Sequence, residues 1–315
     1  MCFFSAVSLC SNPDSDNLMP LKHIMFRPFH SYEMSELMRK FNKKKKFERK
    51  IEKLPVYEIE YFPGDEEWIK NFAANHLNLT GEIEFDKADG KQIFELKTGK
   101  WWFSYEHDKA KIVLRNMDYY EKHSFEAESK RNERISASLY KGIAVDALKE
   151  FRIFDDNMVF DYLGLPVYDS DFPSVGLNCV IFKKAINGFE TYGNDIDAEV
   201  CISNEGDIIR ISKYMFELEE YGDFPLKTPE EAYDDFRAGN GMTGLYLDTK
   251  SDFEIDDIEI GYYFEKESPC FVQPVYIFRG TGQMGIGQMD DKYRRLTGIT
   301  EAISGDYYLK EDITE

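Results

Sequence analysis

Between Gly81 and Asn116 the chain reads "GEIEF", "KQIFEL", "KWWFSY" and "KIVLRN", separated by "DKADGK", "KTGK" and "EHDKA". Such short apolar-rich runs cannot make helices of useful length, and the Gly, Asp and Lys between them suit tight turns. A meander of about four antiparallel strands follows. Just upstream, "LPVYEIEYF" sets Val56, Glu58 and Glu60 against Tyr57, Ile59 and Tyr61, the alternation of a half-buried strand. Between the two, "PGDEEWIKNFAANHLNL" offers Asp65 as N-cap, acids in the first turn, and Trp68, Ile69, Phe72 and Leu77 on one face, an amphipathic helix. The unit is therefore strand, helix, then meander.

The order recurs. After the polar "DYYEKHSFEAESKRNE", a second helix is expected over about 131–151, with Ile135, Leu139, Ile143, Ala147, Leu148 and Phe151 aligned. "NMVFDYLGLPVY", "VGLNCVIFKKAI", "FETYGNDIDAEVCIS" and "DIIRISKYM" read as strands, with hairpin signals at Asn187-Gly188 and Asn204-Glu205-Gly206. "LKTPEEAYDDFRAGNG" then spells a third helix: Thr228 caps it, Pro229 opens it, Glu231 closes a capping box, and Gly239 or Gly241 stops it. "FEIDDIEIGYYFE" and "CFVQPVYIF" are two further strands. Residues 280–315, rich in Gly and charge, read as a tail with a short helix near 289–296. At the other end, Met34, Leu37, Met38 and Phe41 keep helical spacing ahead of a basic connector. The expected organisation is an N-terminal segment with basic linker (1–53), a first α+β module (54–128), a second with an appended helix and hairpin (129–279), and a Gly-rich tail (280–315).

Charge narrows the partners. The formal net charge is -20, and the basic residues Arg39, Lys40, Lys43, Lys44, Lys45, Lys46, Arg49, Lys50 and Lys53 are clustered, so the body beyond them is more acidic still. An acidic body repels phosphate backbones, which argues against nucleic acid. The basic run reads as a solvated linker, with docking on anionic headgroups as the sharper alternative. No apolar run approaches the roughly 20 residues of a membrane-spanning helix. The start "MCFFSAVSLCSNPDSDN" has the apolar length of a signal peptide without its basic leader or a small-residue cleavage site, so a membrane role rests on an N-terminal anchor alone. Asn78-Leu79-Thr80 is a formal glycosylation sequon. Cys2, Cys10, Cys179, Cys201 and Cys270 are too scattered for a disulfide framework or a C-x-x-C metal site. Cys179 and Cys201 fall on two expected strands and can pair if those strands are neighbours in an oxidising compartment.

Four features of the sequence could carry chemistry. Gly280, Gly282 and Gly285 make a G-x-G-x-x-G after "FVQPVYIF", but a dinucleotide fingerprint needs a parallel strand, a helix and a second strand ending in an acid. Too little chain remains for these, so the glycines read as an exit from the last strand and no cofactor is expected. All five histidines (His23, His30, His76, His107, His123) precede residue 124; His76 is placed at an exposed helix end and His107 in a turn. Carboxylate pairs occur at Asp169/Asp171, Asp195/Asp197, Asp256/Asp257 and Asp290/Asp291. Among 59 acids such pairs arise by chance, although "YDSDFPS" could converge on calcium or serve an acid-dependent hydrolase. Trp101, Trp102, Tyr119, Tyr120, Tyr262 and Tyr263 could line a groove, yet adjacent residues on a strand face opposite sides of the sheet, so half of them are core. No residue emerges as catalytic, cofactor-binding or metal-binding.

"VIFKKAINGFETYGNDIDAEVCISNEGDIIRIS", "PLKTPEEAYDDFRAG" and "IEIGYYFEKESPCFVQPVYIF" resemble successive strand, hairpin and helix segments of PepSY-type propeptide-like regulatory domains. "LPVYEIEYFPGDEEWIKNFAANHLNLTG" is similar to the entry strand and helix of the same group, which includes YycI-type regulators. The resemblance spans about 54–279 in outline and implies tandem cystatin-like α+β modules with helices packed on antiparallel sheets. It also implies a non-enzymatic regulatory or binding protein that contacts a peptidase, a sensor kinase or another envelope partner at the cell envelope or outside it. The competing expectations are a hydrolase using Asp169 and Asp171, a self-assembling envelope component, and a cytoplasmic address.

Overall fold

A computed structural model describes residues 21, 41–43, 51–62, 64–86, 93–107, 110–123, 136–163, 167–168, 176–193, 198–243, 253–264, 271–283 and 293–307. It is a mixed α+β structure built on antiparallel-rich sheets. A short β1 (Phe41–Lys43) and a long β2 (Lys53–Tyr61) precede α1 (Glu66–His76). β3 (Glu84–Asp86), β4 (Ile93–Thr98), β5 (Trp101–Glu106) and β6 (Lys111–Asn116) run into α2 (Met117–His123) and then α3 (Ala137–Glu150). Next come β7 (Met158–Leu163), β8 (Val167–Tyr168), β9 (Gly176–Lys184), β10 (Thr191–Gly193), β11 (Ala198–Ile202), β12 (Ile208–Tyr214) and β13 (Phe216–Pro225). α4 (Pro229–Arg237) leads to β14 (Met242–Thr243), β15 (Phe253–Phe264), β16 (Phe271–Gln283) and β17 (Tyr293–Glu301).

The helices begin where side-chain chemistry puts their caps. Asp65 accepts from the Trp68 N–H at 2.7 Å and Ser136 from the Leu139 N–H at 3.3 Å. At Thr228 the box is reciprocal: its hydroxyl accepts from Glu231 N–H, and the Glu231 carboxylate takes the Thr228 N–H at 2.7 Å. Asn187 and Gly188, with φ of 51° and 81°, form the left-handed pair that a two-residue hairpin turn demands.

The chain divides into two compact units, one of residues 60–191 with 195–217, the other of 1–59 with 192–194 and 218–315. In the first, eight strands run in the order β3-β4-β5-β6-β12-β11-β9-β7, with β8 also on β9. Helix and four-strand meander thus occur twice, and the final strands of the two meanders meet: Arg115 faces Arg210, Leu114 faces Ile211, and Ile112 faces Lys213. α1 and α3 cover one face of this joined sheet. Ile69, Phe72 and Ala73 from α1 and Tyr140, Ala144, Ala147 and Leu148 from α3 share a single core with Phe103, Leu114, Val200 and Ile211. The expected boundary near 128 falls inside this unit because the β6·β12 pairing merges the two cores.

On the other face, Cys179 and Cys201 sit directly opposite each other on β9 and β11, and their sulfurs are bonded beneath Tyr120. The bridge spans 22 residues of sequence. By loop entropy alone it adds about 3 kcal/mol. Replacing both cysteines with Ala should lower the urea-unfolding free energy by that order, and a reductant that reaches the bridge should convert the wild type to the same midpoint.

In the other unit β16 is the central strand, between β15 and β17, and nearly every residue from Val272 to Phe278 is buried. That explains the mostly apolar run "FVQPVYIF", interrupted only by the buried Gln273: both faces are covered, so no alternation remains. Val275 and Ile277 join Met242, Tyr263 and Ile299 on one side. On the other, Phe236 of α4 stacks on Phe278 with ring centroids 4.9 Å apart.

Other expectations also differ from what is observed. Gly280 and Gly282 lie within antiparallel β16, paired with Ile255 and Phe253, and β16 is followed by another strand rather than being the last. A Cβ at Gly280 would meet the Glu254 carbonyl oxygen at 2.2 Å, because β15 bulges between Ile255 and Asp257. The expected helix near 289–296 is not formed at 293–301, which are β17, aligned with β16 from Gln283 to Val275. Phe41, read on a helix, belongs to β1, parallel to β15. The single strand expected from "FETYGNDIDAEVCIS" is two, β10 and β11.

Packing explains the glycine in β17: a Cβ at Gly298 would lie 2.2 Å from the Phe236 ring. Gly298→Ala should therefore cost about 1–3 kcal/mol by overpacking. Adding Phe236→Leu should recover part of that loss, a coupling that a double-mutant cycle in urea measures.

Candidate functional site

The unit of residues 60–191 and 195–217 carries a recess of about 480 Å³. Six segments converge on it: Phe62 just after β2, the C-terminal end of α1, the turn after α3, the start of β7, the end of β9, and the stretch from β12 into β13.

One wall, formed by Phe62, Phe72 and His76, belongs to an aromatic stack that also runs through Trp68. Trp68, Phe72 and His76 follow at every fourth residue on α1, so they align along one helix face. Phe62 stacks on Trp68 at 5.3 Å, Trp68 on Phe72 at 5.1 Å, and Phe72 on His76 at 4.8 Å. The Tyr105 hydroxyl donates to the Phe62 carbonyl at 3.0 Å and fixes the stack's origin. Burial pushes the Tyr105 pKa up to about 12, so it remains a donor across the physiological range.

The opposite wall grows out of the α3 terminus. Arg152 adopts φ of 53°, a left-handed conformation that a non-glycine residue holds at a cost of about 1 kcal/mol. The reward is local: the Arg152 N–H reaches the Lys149 carbonyl and the Ile153 N–H the Leu148 carbonyl, both at 2.9 Å. The turn also carries the Arg152 guanidinium to the Asn75 carbonyl at 3.1 Å. Backbone strain of this kind concentrates at functional sites. Phe154 follows it, with the Lys149 ammonium 5.2 Å from its ring.

The floor is charged. Asp155 accepts from the Asn157 N–H at 2.8 Å and pairs with Lys184 at 3.2 Å. The Lys184 ammonium also sits 5.2 Å from the Phe216 ring. Burial alone would raise the Asp155 pKa; the Asn157 hydrogen bond and Lys184, with Lys213 beyond, more than offset it and hold the carboxyl below its ordinary 3.8. In a chain of net charge -20, this recess gathers Arg152, Lys184 and Lys213 against Asp155 and Glu217. It combines apolar walls with paired opposite charges.

Because the folded pKa of Asp155 is depressed, its contribution is present above the unfolded value and lost as pH falls through the folded one. Asp155→Asn should thus lower the thermal midpoint at pH 7, and the gap from wild type should close below about pH 4. Midpoints measured across a pH series check the sign.

Of the residues singled out from sequence, His76 ends α1 on the recess and His107 lies in the turn after β5, its ring edge-on to Tyr105. Asp169, Asp171, Asp195, Asp197, Asp290 and Asp291 lie outside the described residues, as do His23 and His30 and the third glycine, Gly285. Asp256 and Asp257 sit at the β15 bulge. Trp101 points into the core, edge-on to Phe151 at 5.1 Å, whereas Trp102 takes the other face, with the Arg115 guanidinium 4.4 Å from its ring. Cys179, Glu199 and Cys201 cluster within 4.8 Å, but the sulfurs are in the disulfide and Glu199 holds Arg210 at 2.9 Å. Sequence reasoning missed Arg152, Phe154, Lys184, Lys213 and Phe216. No spacing marks them, because they reach the recess from separate segments.

No family model matches the chain, and no curated protein matches it. Among solved structures it is similar to an uncharacterized protein from Eubacterium rectale ATCC 33656, with 11% identity over 82% of this chain and 87% of that one and a TM-score of 0.43. At that score the likeness carries no argument, and the α+β description stands on the strand pairings themselves.

Proposed function

We propose that this chain is a non-enzymatic regulatory or binding protein that acts by contact with a protein or peptide partner. Its repeated helix-and-meander units are, on this reading, tandem cystatin-like modules of the PepSY or YycI kind, working at the cell envelope. The observation that carries the reading is the recess: aromatic walls, a strained Arg152 at the rim, and a local gathering of cations in an acidic chain.

Two mechanisms suit such a sheet, strand addition at an edge and filling of a groove. The terminal strands of the sheet favour the second. β3 has three residues, and β7 is bulged between Phe160 and Tyr162, with Asp161 held by Lys183 at 3.0 Å. Short, bulged and charged edges discourage added strands. The partner therefore enters the recess with side chains.

A photoreactive p-benzoylphenylalanine in place of Phe154, expressed in the native host, tests this. A discrete cross-linked protein is expected, its yield falling at least about fivefold when Arg152→Glu and Lys213→Glu are added, a loss typical of disrupted charge complementarity. The same probe at Phe85, 53% exposed on β3, is the control. Equal cross-linking from both positions, or none from position 154, overturns the proposal.

A further inference from the structure

The two sulfurs of the Cys179–Cys201 bridge stand in different surroundings. Arg210 lies directly opposite Cys201 on β12, and its Nη2 donates to the Cys201 Sγ at 3.5 Å. A cationic donor at a sulfur stabilises the thiolate that forms when the bond breaks. Glu199 comes within 4.8 Å of the sulfurs and opposes this, but the same guanidinium holds its carboxylate at 2.9 Å and answers much of that charge. In thiol–disulfide exchange the thiol of lower pKa leaves faster, so the bridge has a preferred direction of cleavage.

Access decides when that direction matters. Cys179 is 1% exposed, Cys201 0%, and Tyr120, packed over them, 1%, so no reagent reaches the sulfurs while Tyr120 is seated. Tyr120 belongs to α2, a helix of seven residues. Its start is tied down by Asn116, whose Nδ2 donates to the Ile208 carbonyl at 2.9 Å and whose Oδ1 accepts from the Tyr119 N–H at 3.2 Å, and by the Met117 N–H on the Lys100 carbonyl at 2.8 Å. So short a helix has little stability of its own, and lifting it is a smaller event than unfolding the sheet.

We propose that the bridge is a redox switch, opened by a dithiol in the folded protein when α2 lifts, with Cys179 the sulfur attacked and Cys201 the sulfur released. One thiolate of the dithiol bonds to the Cys179 Sγ, the bond between the cysteines breaks, and its electron pair leaves on the Cys201 Sγ beside Arg210. The second thiolate of the dithiol then attacks the first, closing the reagent's own disulfide and releasing Cys179 as a thiolate. The dithiol is oxidised by two electrons, and the cysteine pair takes up both electrons and two protons. Among the described residues β7 and β8 join the sheet through β9, so cleavage leaves all three attached by the β9·β11 pairing and the core alone. The switch is independent of any partner at the recess.

Cleavage of the full chain by dithiothreitol, quenched and alkylated for mass spectrometry of the Cys179 and Cys201 peptides, gives the rate. Lifting α2 exposes little surface, so the rate in dilute urea should change less than about twofold per molar; a bridge reached only by global unfolding would speed up more than about fivefold per molar, and that slope overturns the proposal. Tyr120→Ala should raise the rate at least about fivefold with the slope still shallow, and an unchanged rate removes α2 as the cover. Arg210→Met should slow cleavage about threefold while Arg210→Lys stays near wild type. Sulfite reports the direction, because it leaves an S-sulfonate on the sulfur it attacks and releases the other as a thiol. After an acid quench the sulfonate should sit on Cys179 at least about threefold more often than on Cys201. Equal or reversed labelling, or an Arg210→Met protein cleaved as fast as wild type, overturns the assignment of the two sulfurs.

Discussion

The antiparallel pairing of β6 with β12 is the constraint on which the larger sheet depends. It joins Lys111–Asn116 to Ile208–Tyr214 across nearly a hundred residues of intervening chain. Closing so long a loop costs entropy that only cooperative burial can offset. The offset is visible on both sides of the seam: Ile112 and Leu114 from one strand and Ile211 from the other enter the same core as α1 and α3. Without the seam each half would be a four-strand sheet with one helix and an open edge. With it, two half-cores become one, and the exposed central edges disappear.

The recess is a by-product of that union. α1 ends at His76 and α3 ends at Glu150 on the same face of the joined sheet, and where two helices stop short the sheet beneath is left uncovered. Polar groups gather there because water can still reach them, and aromatic rings gather because the core begins just behind. The Asp155 and Lys184 pair is consistent with this half-buried position: enough water is lost for the pairing to matter, and enough remains that neither charge is stranded.

Legibility in the sequence followed the range of the cause. Thr228-Pro229-Glu231, Asp65 before Trp68, and Asn187-Gly188 are each complete within a few residues, and each forms the cap or turn it announces. β13 escaped notice because "FELEEYGDFP" is buried only at Phe216 and Phe224 and carries no two-residue apolar rhythm. β17 was misread since Gly298 and the arginines in "YRRLTGITE" mask a strand whose neighbour supplies the packing, above all the Phe236 ring over Gly298. The recess was invisible for a related reason: His76, Arg152, Asp155, Lys184 and Lys213 have no common spacing, and only the sheet order makes them neighbours.

The amino-acid sequence by itself determined the inventory of this protein: helices and short antiparallel strands in repeating order, where the principal helices start, which turns are tight, and an acidic surface. Caps, turns and periodicity act over a turn of helix or a pair of residues, so they are written wherever they operate. Tertiary structure alone decided which meander edges met, that Cys179 would lie opposite Cys201, that Gly280 would serve a bulge in the strand beside it, and that six separate segments would border one charged, aromatic recess. Those outcomes depend on contacts between residues far apart in the chain, whose energies exist only once the loops between them have closed.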